Sequence, residues 1–253
     1  MKKAVILAAG RGTRMGEITR ELPKPLIPLN GRPMLLHILD RIAAAGVQEV
    51  LLVTGYLSDQ IEAAASTHGI PVTFRRQEIV NGTAKAALLA KDWVGNDPFL
   101  LTFGDILAET EHYTGMRDAF PGTAGVLAAR HVEDPYQGAA IYVGENRRAT
   151  RIIEKPVKGT STTHWNSAGI YVFSPIVFDE LERVPISERG EYEATSAITQ
   201  MLDAGHHLKL FGLDGDWLDV GRPEDLAAAQ RITELSPSPH SDCQTHRSPE
   251  LQS

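Results

Sequence analysis

The stretch "ILAAGRGTRM" at residues 6–15 decides how the rest of the chain is read. A short apolar run, the pattern of a buried strand, breaks into Gly10 and Gly12 and then into Thr13 and Arg14. Glycine after a buried strand marks a place where backbone N–H groups approach a phosphate at almost no steric cost. What the motif lacks narrows the ligand. The third glycine of a dinucleotide fingerprint is replaced by Met15, and the second strand closes on Thr54 and Gly55, not on an acidic residue that would hold a ribose. No G-K-[ST] follows, so the ATP-type phosphate loop is absent too.

Downstream, "LPKPLIPLNGRP" at residues 22–33 stands where a Rossmann helix ought to begin. The prolines at 23, 25 and 28 predict an extended segment across a pocket mouth, with Arg14 and Lys24 reaching anionic oxygens from two sides. Taken as an isolated pair, the two cations would better suit the surface beside a tight turn.

Further along, apolar runs alternate with helical periodicity, the signature of βαβ units. Strands are predicted at residues 3–9, 49–55, 71–76 and 98–105. Helices are predicted at 33–46, with proline at its start and glycine at its stop, at 58–66, capped by Ser58, and at 83–94. After Asp105 the runs "AGVLAAR", "GAAIYV", "ATRIIEKP" and "SAGIYVF" follow one another with few helical interruptions, which predicts a partly antiparallel region. Helices return at 175–184, 194–205 and 223–235, the last expected to pack back on the sheet. The expected fold is α/β and Rossmann-like, a mostly parallel sheet flanked by helices, in one domain over residues 1–235. Residues 236–253, "SPSPHSDCQTHRSPELQS", are too polar and too rich in Ser and Pro to pack and are read as a disordered tail.

Composition limits the partners. With 25 basic against 32 acidic side chains the net charge is -7, which argues against a nucleic-acid backbone or an anionic membrane as partner. Cys243 is the single cysteine, so an internal disulfide and a multi-cysteine zinc cage are excluded and a cytoplasmic setting is expected. The nine histidines form no H-E-x-x-H, and His206-His207 are read as turn residues.

Taken together, "LAAGRGTRM…PKPLIPLNGRPML", "NGTAKAAL", "FLLTFGD", "RIIEKP", "NSAGIYVF" and "WLDVGRPEDL" resemble the sugar-1-phosphate nucleotidyltransferases, a GT-A-like family that includes glucose-1-phosphate thymidylyltransferases and uridylyltransferases. The resemblance covers about residues 2–234 in family order and makes the antiparallel region a sugar-binding one. It implies transfer of a nucleoside monophosphate from an NTP to a sugar 1-phosphate with release of pyrophosphate. By resemblance, Arg14 binds the leaving β- and γ-phosphates, and Lys24 bridges the α-phosphate and the incoming sugar phosphate. Ala8, Ala9, Gly10, Gly12 and Thr13 line the nucleotide, while Gln77, Gly82 and Thr83 stand at its base. Asp105 and Asp219 each end an apolar stretch and are assigned Mg²⁺, whose octahedral shell phosphate oxygens and water complete. Glu154 is assigned to sugar hydroxyls, Lys155 to the sugar phosphate, and Gly138 and Asn166 to the sugar lining. In the "GE…TD" element Ser196 stands where many members have aspartate, which puts its sugar contact in doubt.

A glutamine amide offers a donor and an acceptor that fit O4 and N3–H of uracil or thymine, so UTP or dTTP is favoured. "GTA" also occurs in guanylyltransferase relatives, so a GTP-dependent mannose-1-phosphate guanylyltransferase stays open. So do a cytidylyltransferase for a small phosphorylated alcohol and a non-catalytic nucleotide-sugar-binding subunit. Oligomeric state, homo-oligomer or monomer, is not legible.

Overall fold

The computed structural model describes residues 1–234; the predicted tail at residues 236–253, with Cys243, lies outside them. The chain opens with β1 (Lys3–Ala8), a hairpin of β2 (Pro28–Leu29) and β3 (Arg32–Pro33), α1 (Met34–Ala44), β4 (Glu49–Thr54), α2 (Ser58–Ala65) and β5 (Val72–Arg76). It continues through α3 (Thr83–Leu88), α4 (Lys91–Val94), β6 (Phe99–Phe103), β7 (Ile106–Ala108), α5 (Thr110–Ala119) and β8 (Gly125–His131). Then come β9 (Ala139–Val143), β10 (Ala149–Glu154), β11 (Trp165–Phe173), α6 (Val177–Arg183), α7 (Ala194–Asp203), β12 (Leu208–Gly212), β13 (Trp217–Asp219) and α8 (Leu226–Glu234).

Among the described residues the main sheet runs β10-β9-β11-β6-β1-β4-β5, with β8 and β12 joined through β11. The segment β6-β1-β4-β5 is parallel throughout, and β11 meets β6 antiparallel. β1 shows why the sheet is buried on both faces. Ala4 and Ile6 pack into one core with Leu35, Ile38, Ile61, Tyr113 and Met116, while Val5 and Leu7 pack into the other with Ala87, Phe178, Ile198 and Met201. Successive side chains of a strand point to opposite faces, so a continuous apolar run suits a sheet with helices on both sides. Truncating one of these fully buried residues, such as Ile6 or Leu39, to Ala would cost about 2–5 kcal/mol.

Chain direction then fixes where a ligand belongs. From β1 the chain steps outward through α1 to β4 and through α2 to β5, then returns past α3 and α4 to β6 on the other side of β1. That reversal makes a switch point outside the carboxyl ends of β1 and β6, where open α/β sheets bind ligands.

Four local expectations are corrected. Ser58 is the first helical residue of α2; the cap position is Leu57, in the left-handed region at φ 51°, with no side-chain cap bond. The predicted helix at 83–94 is two helices, because Leu89 and Ala90 form a tight turn whose N–H groups donate to Ala86 and Ala87. The proline segment is extended at Pro23 and again in β2 and β3, but not between them. Lys24–Leu26 is a 3₁₀ turn, and the β2–β3 hairpin follows, since proline fixes φ but accepts either a turn or an extended ψ. Finally, α8 packs on that hairpin and on α1 instead of the sheet: Asn30 Nδ2 donates to Gln230 O at 2.8 Å and Arg41 Nη2 to Ile232 O at 3.0 Å.

Candidate active site

Two clefts open at the switch point. The first, of about 500 Å³, is lined by Ala8, Ala9, Gly10, Gly12 and Thr13 after β1, by Gln77, Gly82 and Thr83 beside β5 and α3, and by Arg14, Lys24 and Asp105. The second, of about 960 Å³, is lined by Gly138, Glu154, Lys155 and Asn166 together with Asp219, and shares Arg14, Asp105 and Gly221 with the first. All sixteen residues singled out from the sequence therefore border one of two adjoining spaces.

Small residues make up much of the first cleft's lining: Ala8, Ala9, Gly10, Gly12, Gly82 and Gly104. Gln77 is buried, its N–H donates to Thr54 O at 2.8 Å, and its Nε2 donates to Gly82 O at 3.1 Å. The amide is thus held at the edge of the cleft by the glycine beside it. Gly82 itself, at φ 129°, lies against the Tyr192 backbone with no room for a Cβ. Asn81 O accepts the Tyr192 N–H at 3.0 Å, and Thr83 Oγ1 accepts the Ala194 N–H at 2.9 Å. The segment before α7 consequently borders the first cleft, through Glu191, and α7 itself borders the second, through Thr195.

At the junction, a device invisible in the sequence brings the two aspartates together. β7 and β13 form a separate antiparallel pair in which Asp219 is in register with Ile106, and the Val220 N–H donates to Asp105 O at 3.0 Å. Lys24 Nζ, nearly buried by the 3₁₀ turn, donates to Asp105 Oδ2 at 2.6 Å and lies 4.0 Å from Asp219 Oδ1. Crowding by protein atoms and the like charge of Asp105 push the Asp219 carboxyl up to about 6, against the opposing pull of Lys24 and Arg14. The Asp219 side chain still keeps 46% of its exposure, so these carboxylates face the cleft and the space between them is reachable.

Two adjacent carboxylates that resist sharing negative charge are a donor set for a cation. Among the described residues no group of three or more His, Cys, Asp or Glu is arranged for a metal. A divalent ion here would complete its shell with water, and with substrate oxygens where they are present, which suits Mg²⁺ and not a caged zinc.

The second cleft is walled by side chains. Glu154, at the end of β10, is raised above the ordinary carboxylate range chiefly by burial; Arg189 opposes the shift and Glu193 adds to it. Arg189 Nη1 stands 3.5 Å from Glu154 Oε1, and its Nη2 is 2.8 Å from Glu193 Oε1. Asn166 Nδ2 donates to Ser167 O at 3.0 Å, while its buried Oδ1 lacks a protein partner. Gly138 lies against that amide with no room for a Cβ, and its carbonyl accepts the Lys155 N–H at 2.7 Å. Lys155 is held at φ 44°, a strained conformation of the kind that clusters at ligand sites.

Several residues on these walls carried no assignment from the sequence. Arg189 sits just before "GEYEAT" and could have been found as a cation flanking that element. Arg222 and Asp225 stand inside "WLDVGRPEDL" and line the second cleft with Tyr136, Lys158 and Trp217. Their convergence depends on loop geometry for which spacing gives no signal.

The chain matches the family model for nucleotidyl transferases over residues 3–235. It is 34% identical over 91% of its length to the low-salt glycan biosynthesis nucleotidyltransferase Agl11 of Haloferax volcanii, of which it covers 65%. It is 30% identical over 92% of its length to the UTP–glucose-1-phosphate uridylyltransferase AglF of the same organism, of which it covers 97%. The chain spans about half to two thirds of the length of several other curated relatives. Its fold superposes on a crystal structure of UDP-glucose pyrophosphorylase complexed with UDP-glucose with a TM-score of 0.81, at 21% identity, covering 91% of this chain and 97% of that one. A mostly parallel sheet with its ligand clefts at the switch point and a family match across nearly all the described residues agree: the chain belongs to the nucleotidyl transferase family.

Proposed function

We propose that the protein transfers a nucleoside monophosphate from UTP or dTTP to a sugar 1-phosphate, releasing pyrophosphate. The observation that carries this reading is the pair of adjoining clefts that share Arg14 and Asp105, with Lys24 and Asp219 at the junction. One cleft would take the nucleotide and the other the sugar phosphate, so that the two polyanions meet beside buried positive charge.

The attacking group is the sugar phosphate itself. A phosphate monoester, with its second pKa near about 6, is largely dianionic at neutral pH and needs no protein base. Its oxygen forms a bond to the α-phosphorus as the bond from that phosphorus to the β-bridging oxygen breaks, and pyrophosphate leaves with the electron pair. The protein's task is to hold the two phosphates in line and to offset the charge that accumulates. Lys24 would bind the α-phosphate and the incoming phosphate, and Arg14 the leaving oxygens. Asp105 and Asp219 would hold Mg²⁺, which when bound supplies charge neutralisation at the phosphate oxygens. Lys24, which bonds to Asp105, would exchange that partner for phosphate when substrates arrive.

Gln77 and Gly82 are read as the base edge. The Gln77 Nε2 donates to Gly82 O at 3.1 Å and to Asn81 Oδ1 at 3.4 Å, so of the donor and acceptor expected from the sequence only Oε1 is left for a pyrimidine N3–H. Asn166 Oδ1 is an acceptor waiting for a sugar hydroxyl, because a buried acceptor without a partner costs about 1–3 kcal/mol. A cytoplasmic biosynthetic enzyme acting on small molecules is the setting this chemistry suits. The test is a matrix of UTP, dTTP, GTP, ATP and CTP against sugar 1-phosphates with pyrophosphate release as readout. Highest kcat/KM with UTP or dTTP is expected, and highest kcat/KM with GTP would move the assignment to a guanylyltransferase.

A further inference from the structure

After Asp219 the chain must leave the β7–β13 pair without dragging the carboxylate away from Asp105, and the structure shows what holds that turn. The Gly221 N–H donates to Asp219 O at 2.9 Å and to Asp225 Oδ2 at 2.8 Å, and the Arg222 N–H donates to the same oxygen at 2.7 Å. The Asp225 N–H returns a bond to Arg222 O at 3.0 Å, closing the 3₁₀ turn Pro223–Asp225 that leads into α8. Gly221 is buried, so losing the carboxylate would leave a backbone donor poorly satisfied in the interior of the turn. Around Gly221, Arg14 Nη1, Asp225 Oδ2 and Asp219 Oδ1 lie 3.6, 3.7 and 3.8 Å from where a Cβ would stand. The anchor, the carboxylate and the cation therefore converge on one short segment.

We propose that Asp225 is a positioning residue for Asp219: its carboxylate ties down the 219–222 turn so that Asp219 faces Asp105 and Lys24. This rests on the reading of Asp105 and Asp219 as holders of a divalent ion, and goes beyond it by naming the residue that sets their separation. The role is a matter of acceptor geometry. An amide oxygen at the same place should serve nearly as well, whereas a carboxylate one methylene further out should not.

The experiment is a titration of the full chain with Mn²⁺ alone, following the free-ion electron paramagnetic resonance signal, for wild type, Asp225→Ala, Asp225→Asn, Asp225→Glu and Asp219→Asn. Residues that orient metal ligands typically change affinity by about 10–100-fold when removed, so Asp225→Ala and Asp225→Glu should bind Mn²⁺ about tenfold more weakly. Asp225→Asn should stay within about threefold of wild type, since it keeps the acceptor. If Asp225→Ala does not fold, the contrast between Asp225→Glu and Asp225→Asn carries the test. Loss of affinity in Asp225→Asn equal to that in Asp225→Ala would mean that charge matters and the turn does not, and would overturn the proposal. So would Asp225→Ala or Asp225→Glu with wild-type affinity, whatever their melting temperatures. If wild type binds no Mn²⁺, or Asp219→Asn binds it unchanged, the metal reading itself fails and the proposal falls with it.

Discussion

The two clefts that meet at Asp105 are built in different ways. The one beside β1 belongs to the parallel half of the sheet, and its wall comes in large part from the chain segments at the ends of β1, β5 and β6: 8–14, 77–83 and 103–105. The one beside β10 and β11 belongs to the antiparallel half and gathers Gly138, Glu154, Asn166, Thr195 and Trp217 from five separate segments. Glycine and alanine contribute much of the first. Side chains make the second, and their charge balance secures it: Glu154 and Glu193 share the Arg189 guanidinium. On the proposed function, a wall of small residues would recognise what all nucleotides have in common, whereas a side-chain wall would be free to vary with the sugar. Nucleotide handling should therefore resist single side-chain changes, sugar handling should yield to them, and the junction between should tolerate none.

The junction gives the largest expected effect. Asp105→Asn and Asp219→Asn should each lower kcat by at least about 10²-fold while the fold is intact, as for other lost transition-state electrostatics. Turnover near wild type in either variant, or full activity in EDTA, would break the division at its centre.

The cations come next. Lys24→Ala should lower kcat by about 10²-fold with both substrates, because Lys24 is nearly buried and lies between the carboxylates. Arg14 is exposed at the mouth, and Arg14→Ala should weaken NTP and pyrophosphate handling by about tenfold, with a smaller effect on sugar phosphate. Steady-state kinetics in both directions separate the two, and equal mild effects would return them to the surface as ordinary charges.

Glu154→Gln probes the side-chain wall. KM for the sugar phosphate should rise about tenfold while KM for the NTP stays within about twofold, since a site left with an ill-matched polar group rejects its ligand. The same variant has a stability signature. Burial raises the Glu154 carboxyl, so the folded chain holds that proton more tightly than the unfolded chain. Stability contributed by the protonated form is present below the ordinary glutamate value and is lost as pH rises through the raised one. Glu154→Gln should accordingly melt like wild type at the acid end of that window and higher than wild type at neutral pH, checked by thermal melts across pH.

The smallest effect is expected at the base edge. Gln77→Ala should erode preference for UTP and dTTP over other NTPs by about threefold and leave chemistry running, while UTP and dTTP themselves stay poorly distinguished because a methyl group is worth only about 1–3 kcal/mol.

How much of this was legible in the sequence follows the same division. "ILAAGRGTRM" and "FLLTFGD" announce both strand ends at the switch point, because a buried parallel strand is a continuous apolar run and a glycine must follow where backbone meets ligand. Asp105 and Asp219 were readable one at a time as the ends of apolar stretches. That they pair through β7 and β13, strands of three residues each, was not, because runs so short carry no periodicity. Lys24 was readable as a cation between prolines, but the 3₁₀ turn that buries it was not, since proline sets φ and leaves ψ open. Arg189 and Asp225 act through contacts made only after the loops have closed on α7 and α8, and no local pattern marks such contacts.

The most direct test of the central claim is ³¹P nuclear magnetic resonance of the protein with Mg²⁺, UTP and the best sugar 1-phosphate from the substrate matrix. The account predicts that the monoester resonance disappears as a phosphodiester pair and free pyrophosphate grow in equal amounts, with no UMP. Pyrophosphate release that proceeds without the sugar phosphate and leaves UMP behind, or a monoester signal that never changes, would contradict it.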